Sequence, residues 1–146
     1  MKEFLEIAEE CKEHNCKINK KNIKTIYKTD KGIKKNIPNI TNKLCDCIIE
    51  CEDGKIVIVE ILCGTLTYRE YKDKLEQLKN CIKIVKFCKS SITKLEVIVL
   101  YKTLEYPKKS KTRIDKQAFM KKLISNKIEN CYVKFYQSKN FNGAVC

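Results

Sequence analysis

A single histidine, His14, is the only imidazole in the 146-residue chain. Zinc sites gather Cys and His ligands, most often with C-x2-4-C spacing. Here the closest cysteines, Cys45, Cys47 and Cys51, offer only C-x-C and C-x3-C. No zinc is expected. Arginine is almost as scarce: Arg69 and Arg113 are the only two among 31 cationic residues, so the positive charge is lysine. No apolar run approaches the ~20 residues that a membrane-spanning helix needs, and the N-terminal MKEFLEIAEECKEHN is acidic and amphipathic, unlike a secretory leader. These absences predict a protein that lies inside the cell, in the cytoplasm, and not in a membrane.

What the chain does carry is charge. Lys and Arg outnumber Asp and Glu by 31 to 18, a net +13 on one small chain. Such an excess repels itself and usually marks a polyanionic partner. Nucleic acid, with DNA ahead of RNA, is the leading partner, and an anionic membrane surface is the alternative. An AT-rich genome, which favours Lys, Asn and Ile codons, would inflate the charge with no function attached. The ten cysteines, without a leader to mark secretion, are expected as buried thiols, because free cysteine packs as a small apolar residue. Eleven asparagines argue against a hyperthermophile, the setting in which intracellular disulfides are common.

Hydrophobic residues make up 43% and are spread along the chain, with no repeat and no linker, so residues 1–146 are expected to fold as a single domain. Residues 2–14 read as a helix, with Phe4, Leu5, Ala8 and Cys11 on one face and Ile7 beside it. IKTIYKT (23–29) is a strand, followed by a turn at 30–32, and IKKNIPNITN continues as a short strand limited by Pro38. Leu44–Cys51 and Lys55–Cys63 are strands on either side of EDG. Residues 67–89 form a long helix whose Tyr71, Leu75, Leu78, Ile82 and Val85 make a core stripe. KLEVIVLYK (94–102) is a strand apolar on both faces. Residues 105–113 form a basic loop, 115–129 a second helix through Phe119, Leu123, Ile124 and Ile128, and CYVKFYQ (131–137) a last strand before a tail expected to fray. The order α-β-β-β-α-β-α-β implies an α/β fold, a mixed sheet with helices on both faces.

Within this order, LCDCIIECEDGKIVIVEILCGTLT (44–67) places Asp46 on the second strand and Glu60 on the third, with thirteen residues between them. Gly64, Thr65 and Thr67 follow the third strand. These features resemble the PD-(D/E)xK nuclease superfamily, which includes restriction enzymes, Holliday junction resolvases and RecB-like nucleases. The resemblance covers roughly residues 2–101. It implies a restriction endonuclease-like α-β-β-β-α-β core, with Asp46 and Glu60 as catalytic residues that hold Mg2+ or Mn2+ through oxygen ligands. It also implies a lysine that positions water and stabilises the charge at phosphorus. Relatives that cut duplexes often dimerise, so a homodimer is the assembly implied. The departure is Leu62, which occupies the lysine position of Glu-x-Lys and can neither donate a hydrogen bond nor carry charge. Some relatives take the cation from the following helix; Lys72, in that helix's first turn, is the expected substitute, with Arg69 and Lys55 as further candidates. Gln77 resembles the helix glutamine of RecB-like members, and Glu6, Glu9 or Glu10 matches the first-helix glutamate of resolvase-like ones.

The hairpin gives an internal test. A two-residue Asp53-Gly54 loop places Asp46 opposite Ile61 and turns Glu60 to the other face. A three-residue Glu52-Asp53-Gly54 loop, a type I turn closed by a left-handed glycine, places Asp46 opposite Glu60. A shared carboxylate site requires the second. That register also gathers Cys45, Cys47, Ile61 and Cys63 on the opposite face, as core or as a disulfide between strands. Glu60 lies within the apolar run KIVIVEIL, where a lone carboxylate is costly unless paired or metal-bound.

Lys79, Lys83 and Lys86 recur with Lys72 along the long helix, and Lys108, Lys109, Lys111 and Arg113 crowd the loop after Tyr106. Such cations make sequence-independent, salt-sensitive phosphate contacts; the bland alternative is a solvated lysine face. Three readings result: a metal-dependent nuclease with a relocated cation, a pseudonuclease that binds nucleic acid without cutting it, and a basic module that docks on an acidic protein.

Overall fold

The fold is taken from a computed structural model, which describes residues 1–13, 16–29, 33, 37, 40, 44–92, 94–107 and 116–146. Three two-residue strands come first: β1 (Ile7–Ala8), β2 (Lys12–Glu13) and β3 (Cys16–Lys17). They are followed by β4 (Ile23–Lys28), β5 (Cys47–Cys51), β6 (Ile56–Leu66), helix α1 (Tyr68–Cys88), β7 (Leu95–Leu104), helix α2 (Lys116–Ile124), β8 (Lys127–Ile128) and β9 (Cys131–Gln137). Seven strands form one sheet in the order β1-β4-β5-β6-β7-β9-β8, while β2 and β3 pair as a separate ribbon. The pairs β6–β7 and β7–β9 are parallel and the others antiparallel. The molecule is therefore α/β with a mixed sheet.

Local chemistry accounts for the central elements. The side chain of Thr67 caps α1 by accepting from the Glu70 amide (3.1 Å). The helix then buries Tyr71, Leu78, Ile82 and Val85 with Cys81 and Ile84, the expected stripe. Strand β7 lies between two parallel neighbours and buries Val97, Ile98, Val99 and Leu100 in succession, so it shows no polar alternation.

Four expectations are corrected. The segment expected as a helix over 2–14 is not one over its described residues, 2–13. Leu5 packs on the α1 face with Ile48 and Ile58, whereas Cys11 packs on the opposite face with Ile49 and Val57, so the segment wraps around the sheet edge through β1. A short helix gains little from propensity alone, and burying both Leu5 and Cys11 outweighs it. The helices do not flank both faces. Phe119 of α2 packs against Tyr71 of α1 and, with it, over Phe135 on the same side. The other face is covered by Cys11, Ile18 and Val145, with Phe141 and Cys146. Helix α2 stops at Ile124, which is 80% exposed. Residues 127–132 instead form a hairpin in which Glu129 and Asn130 both have positive φ (46° and 69°), the two-residue turn geometry that twists with the strands. The tail does not fray: Gly143 accepts from the Asn19 amide (2.7 Å), Lys55 donates to the Val145 carbonyl (2.6 Å), and Val145 is core. Most of IKKNIPNITN, including Pro38, lies outside the described residues, although Ile37 is buried and Ile33 bridges to Leu5.

Candidate carboxylate–lysine site

The turn between β5 and β6 is the three-residue form. Cys51 N donates to Lys55 O (2.8 Å), Gly54 N donates to Cys51 O (3.0 Å), and Gly54 has a φ of +90°. The register runs Cys47↔Val59, Ile48↔Ile58, Ile49↔Val57, and Asp46, just before it, lies close enough to Glu60 for its charge to be felt there. Glu60, in step with Ile56 and Ile58, belongs to the face covered by α1. Strand β5 begins at Cys47, so Asp46 sits in a bend just outside it. Its amide donates to Val59 O (3.1 Å), and its Oδ2 accepts from the Ile61 amide (2.5 Å). Asp46 thus extends the pairing of β6 beyond the end of β5 with its side chain.

Glu60 is only 4% exposed. Its Oε1 accepts from Lys74 Nζ at 2.8 Å, and the Lys74 side chain is itself 13% exposed. The other oxygen, Oε2, is buried without a hydrogen-bond partner among the described residues. Burial pushes the Glu60 carboxyl up to about 7 from the ordinary 4.5; Asp46 adds to the rise, the Lys74 ammonium opposes it, and Glu13 contributes a smaller push upward. One ammonium does not offset the removal of this carboxylate from water beside a second one.

Lys74, outside the expected candidates, is the lysine that pairs with Glu60, and Glu13 is the N-terminal glutamate whose charge reaches Glu60. The helical wheel held the signal for the lysine: at ~100° per residue, Lys74 lies roughly 60° from the middle of the α1 apolar stripe and Lys72 roughly 100°. Lys72 does not join the site. Its ammonium lies over the Tyr68 ring, 4.8 Å from the centroid. Arg69 is exposed, and Lys55 is engaged with Val145 O and Glu96 (3.7 Å). Gln77 donates to Leu44 O (3.4 Å), fastening α1 to the segment before β5. Leu62 packs against the cluster of Leu66, Tyr71 and Phe119. Glu6, Glu9 and Glu10 are exposed, and Glu10 pairs with Lys17 (2.9 Å).

The lysine stripe of α1 faces away from this pair. Lys72, Lys79, Lys83 and Lys86 lie roughly 120–180° around the helix from Lys74. Lys79 is paired with Glu76 (3.4 Å) and Lys86 with Glu129 (3.5 Å), while Lys83 is exposed. Lys108, Lys109, Lys111 and Arg113 lie outside the described residues; Tyr106 at the edge of their loop carries Lys116 over its ring (4.5 Å).

Six cysteines are paired, which corrects the expectation of buried thiols: Cys11–Cys47, Cys45–Cys81 and Cys51–Cys146. Cys45 leaves the face shared by Cys47 and Ile61 because the bend at Asp46 breaks the alternation, and it joins the α1 side. Cys16, Cys63, Cys88 and Cys131 are free.

Mg2+ usually takes one or two carboxylates and completes its shell with water or substrate phosphate. The unpartnered Glu60 Oε2 beside Asp46 fits that demand with hard oxygen donors. Among the described residues, no group of three or more His, Cys, Asp or Glu is placed to hold a metal ion by protein ligands alone. Among them, too, no helix is long and apolar enough to cross a membrane. Comparison of the chain with protein-family models, with curated proteins and with solved structures finds no match.

Proposed function

We propose that the protein binds nucleic acid through a nuclease-like core and hydrolyses phosphodiesters at Asp46, Glu60 and Lys74. The observation that carries this reading is the meeting of two carboxylates from the β5–β6 hairpin with a lysine from the next helix. The succession β4-β5-β6-α1-β7, antiparallel twice and then parallel, is the order that the PD-(D/E)xK resemblance implies, without its first helix. Lys74 fills the role that Leu62 cannot, and the net charge of +13 suits a polyanion, DNA first.

Asp46 and Glu60 Oε2 would hold Mg2+ or Mn2+, which lowers the pKa of a bound water and polarises the phosphodiester. Lys74 opposes the rise of the Glu60 carboxyl, occupies Oε1 and leaves Oε2 for the metal, and would bring positive charge to where negative charge develops. The cost of holding Glu60 charged in this position is what a purely structural ion pair would have no reason to retain.

A second reading, binding without cleavage, is favoured by one observation: Glu60 is almost fully covered, so substrate and metal reach it only if the surrounding chain opens. The three disulfides favour an oxidising compartment over the reducing cytoplasm. Dimerisation belongs to the proposal only through the resemblance.

The test is cleavage and binding of labelled DNA and RNA, linear and branched, with Mg2+ or Mn2+ at two salt concentrations. Wild type is compared with Glu60→Gln, Lys74→Met and Lys72→Met. Metal-dependent cutting is expected in wild type and Lys72→Met and is reduced by at least ~10²-fold in the other two, the scale for loss of a positioned catalytic group. Salt-sensitive binding with no cutting in any protein establishes the second reading. Absence of both sinks the proposal and leaves the acidic-protein module.

A further inference from the structure

A cavity of about 600 Å3 opens at the carboxyl ends of the parallel strands, on the face covered by the tail. Open α/β sheets place their ligands at this end, and the volume suits a small molecule. Three lysines line it: Lys17 from β3, Lys102 from β7 and Lys139 after β9. Lys17 is paired with Glu10, whereas Lys102 and Lys139 have no carboxylate partner among the described residues. Two of the free thiols, Cys16 and Cys63, line the same cavity, with Phe141 as its aromatic wall.

The thiols are neighbours. Cys16 is the cross-strand partner of Glu13, and Cys63 Sγ donates to the Glu13 carbonyl (3.7 Å). Burial raises the Cys63 thiol above its ordinary value and the negative charges of Glu13, Asp46, Cys16 and Glu60 add to the rise, while burial raises Cys16 as well, so the exchange is fastest at alkaline pH. Cys63 is exposed and Cys16 half-buried, so Cys63 is the thiol that a small molecule in the cavity reaches first.

We propose that this cavity is a redox-modification site at which Cys63 and Cys16 react with a small anionic disulfide of the glutathione type, guided by the cavity lysines, to form a fourth disulfide. The Cys63 thiolate attacks one sulfur of the small disulfide, breaks its S–S bond and expels one thiolate, leaving a mixed disulfide on Cys63. The Cys16 thiolate then attacks the Cys63 sulfur and expels the second. Two protein thiols are oxidised, one disulfide is reduced to two small thiols, and those thiols take up the two protons. The product ties the β2–β3 ribbon to β6 three residues beyond Glu60. The ribbon is already held at Cys11 by the Cys11–Cys47 bond, so the second tie fixes it at both ends. This site stands independently of the nuclease reading.

The experiment treats the folded protein, its three disulfides intact, with glutathione disulfide or with cationic cystamine at low and moderate salt, followed by non-reducing peptide mapping. The expected result is a Cys16–Cys63 link that forms about tenfold faster with glutathione disulfide at low salt, the lower range of electrostatic steering. The preference collapses in Lys102→Glu/Lys139→Glu. Cys16→Ser should stop at a glutathionyl adduct on Cys63. If Cys88 and Cys131 react while no Cys16–Cys63 link appears, the site is refuted. Equal rates with both reagents, unchanged in the lysine variant, overturn the anionic ligand. The wild-type measurements require no substitution, so misfolding of a variant cannot mask either result.

Discussion

Replacing Glu60 with glutamine should stabilise the protein, and chiefly at neutral and alkaline pH. Glu60 has its carboxyl pushed up to about 7 from 4.5 in the folded chain, whereas the unfolded chain carries it at its ordinary value. Between those two values the folded state holds a proton that the unfolded state has released. The stability associated with Glu60 is therefore fully present below about pH 4.5 and lost as pH rises through 7. A rise of that size corresponds to about 3 kcal/mol at ~1.4 kcal/mol per pH unit. Glutamine keeps the shape and carries no charge to desolvate. Glu60→Gln should lead by about 1 kcal/mol or less at pH 5 and by about 3 kcal/mol at pH 8.5. For a chain of this size that is roughly 6–12 °C in Tm.

Urea unfolding at both pH values, in EDTA and with disulfides intact, measures the difference, and all other titrating groups cancel between the two proteins. Lys74 must be watched, because the substitution also removes the carboxylate that its buried ammonium pairs with. Running the comparison also in a Lys74→Met background separates the two contributions. An unchanged gap between pH 5 and pH 8.5 would show that Glu60 ionises as an ordinary paired carboxylate, and the argument from its burial would fall.

Three further outcomes follow from the same geometry. Mg2+ at a hundredfold excess over its Kd should restore about 2.7 kcal/mol to wild type at pH 8.5 and nothing to Glu60→Gln, read as a metal-dependent shift of the urea midpoint. Phe119→Ala should cost about 3–5 kcal/mol in the same assay, because the ring is fully buried between Tyr68 and Tyr71 and is the main anchor of α2. Cys146→Ser should cost up to about 4–5 kcal/mol, since the Cys51–Cys146 bond closes a separation of 95 residues; tail proteolysis should accompany the loss.

The legible parts of the fold were those set by local periodicity. The stripe of α1, the uninterrupted apolar run of β7 and the glycine of the β5–β6 turn each specify their own geometry, and the three-residue turn sets the register that brings Glu60 to the α1 face. The N-terminal segment was misread because Leu5, Ala8 and Cys11 fit a helical face, while the chain uses them on two faces of a sheet edge. The pattern holds the spacing but not the object being wrapped. Closeness to the helix start points to Lys72, whereas distance from the apolar stripe decides which lysine reaches inward and selects Lys74, which was not among the expected candidates. The tail showed no periodicity, because a single valine, a glycine carbonyl and a cysteine hold it in place.

The cysteine spacing around Asp46, unsuited to zinc, acquires a different sense once the strand is drawn. Cys47 and Cys51 are four residues apart on β5, so they point to the same face, where one holds the N-terminal segment and the other the tail. Cys45 lies one residue before the bend and holds α1. Every disulfide therefore has one end on β5 or immediately before it, and the segments they secure have little regular structure of their own to bury. The exception is α1, which packs well without help; its bond instead fixes the height of the helix against the start of β5. Asp46 stands between two of these bonds, with Cys45 tied to the helix that carries Lys74 and Cys47 tied to the ribbon that carries Glu13. Reduction would loosen Asp46 on both sides, whereas Glu60, deep in β6 with its neighbours paired on β7, would stay where it is. The geometry of the two carboxylates is thus set by thiol chemistry on one side and by sheet packing on the other, and an oxidising compartment is the setting in which both hold.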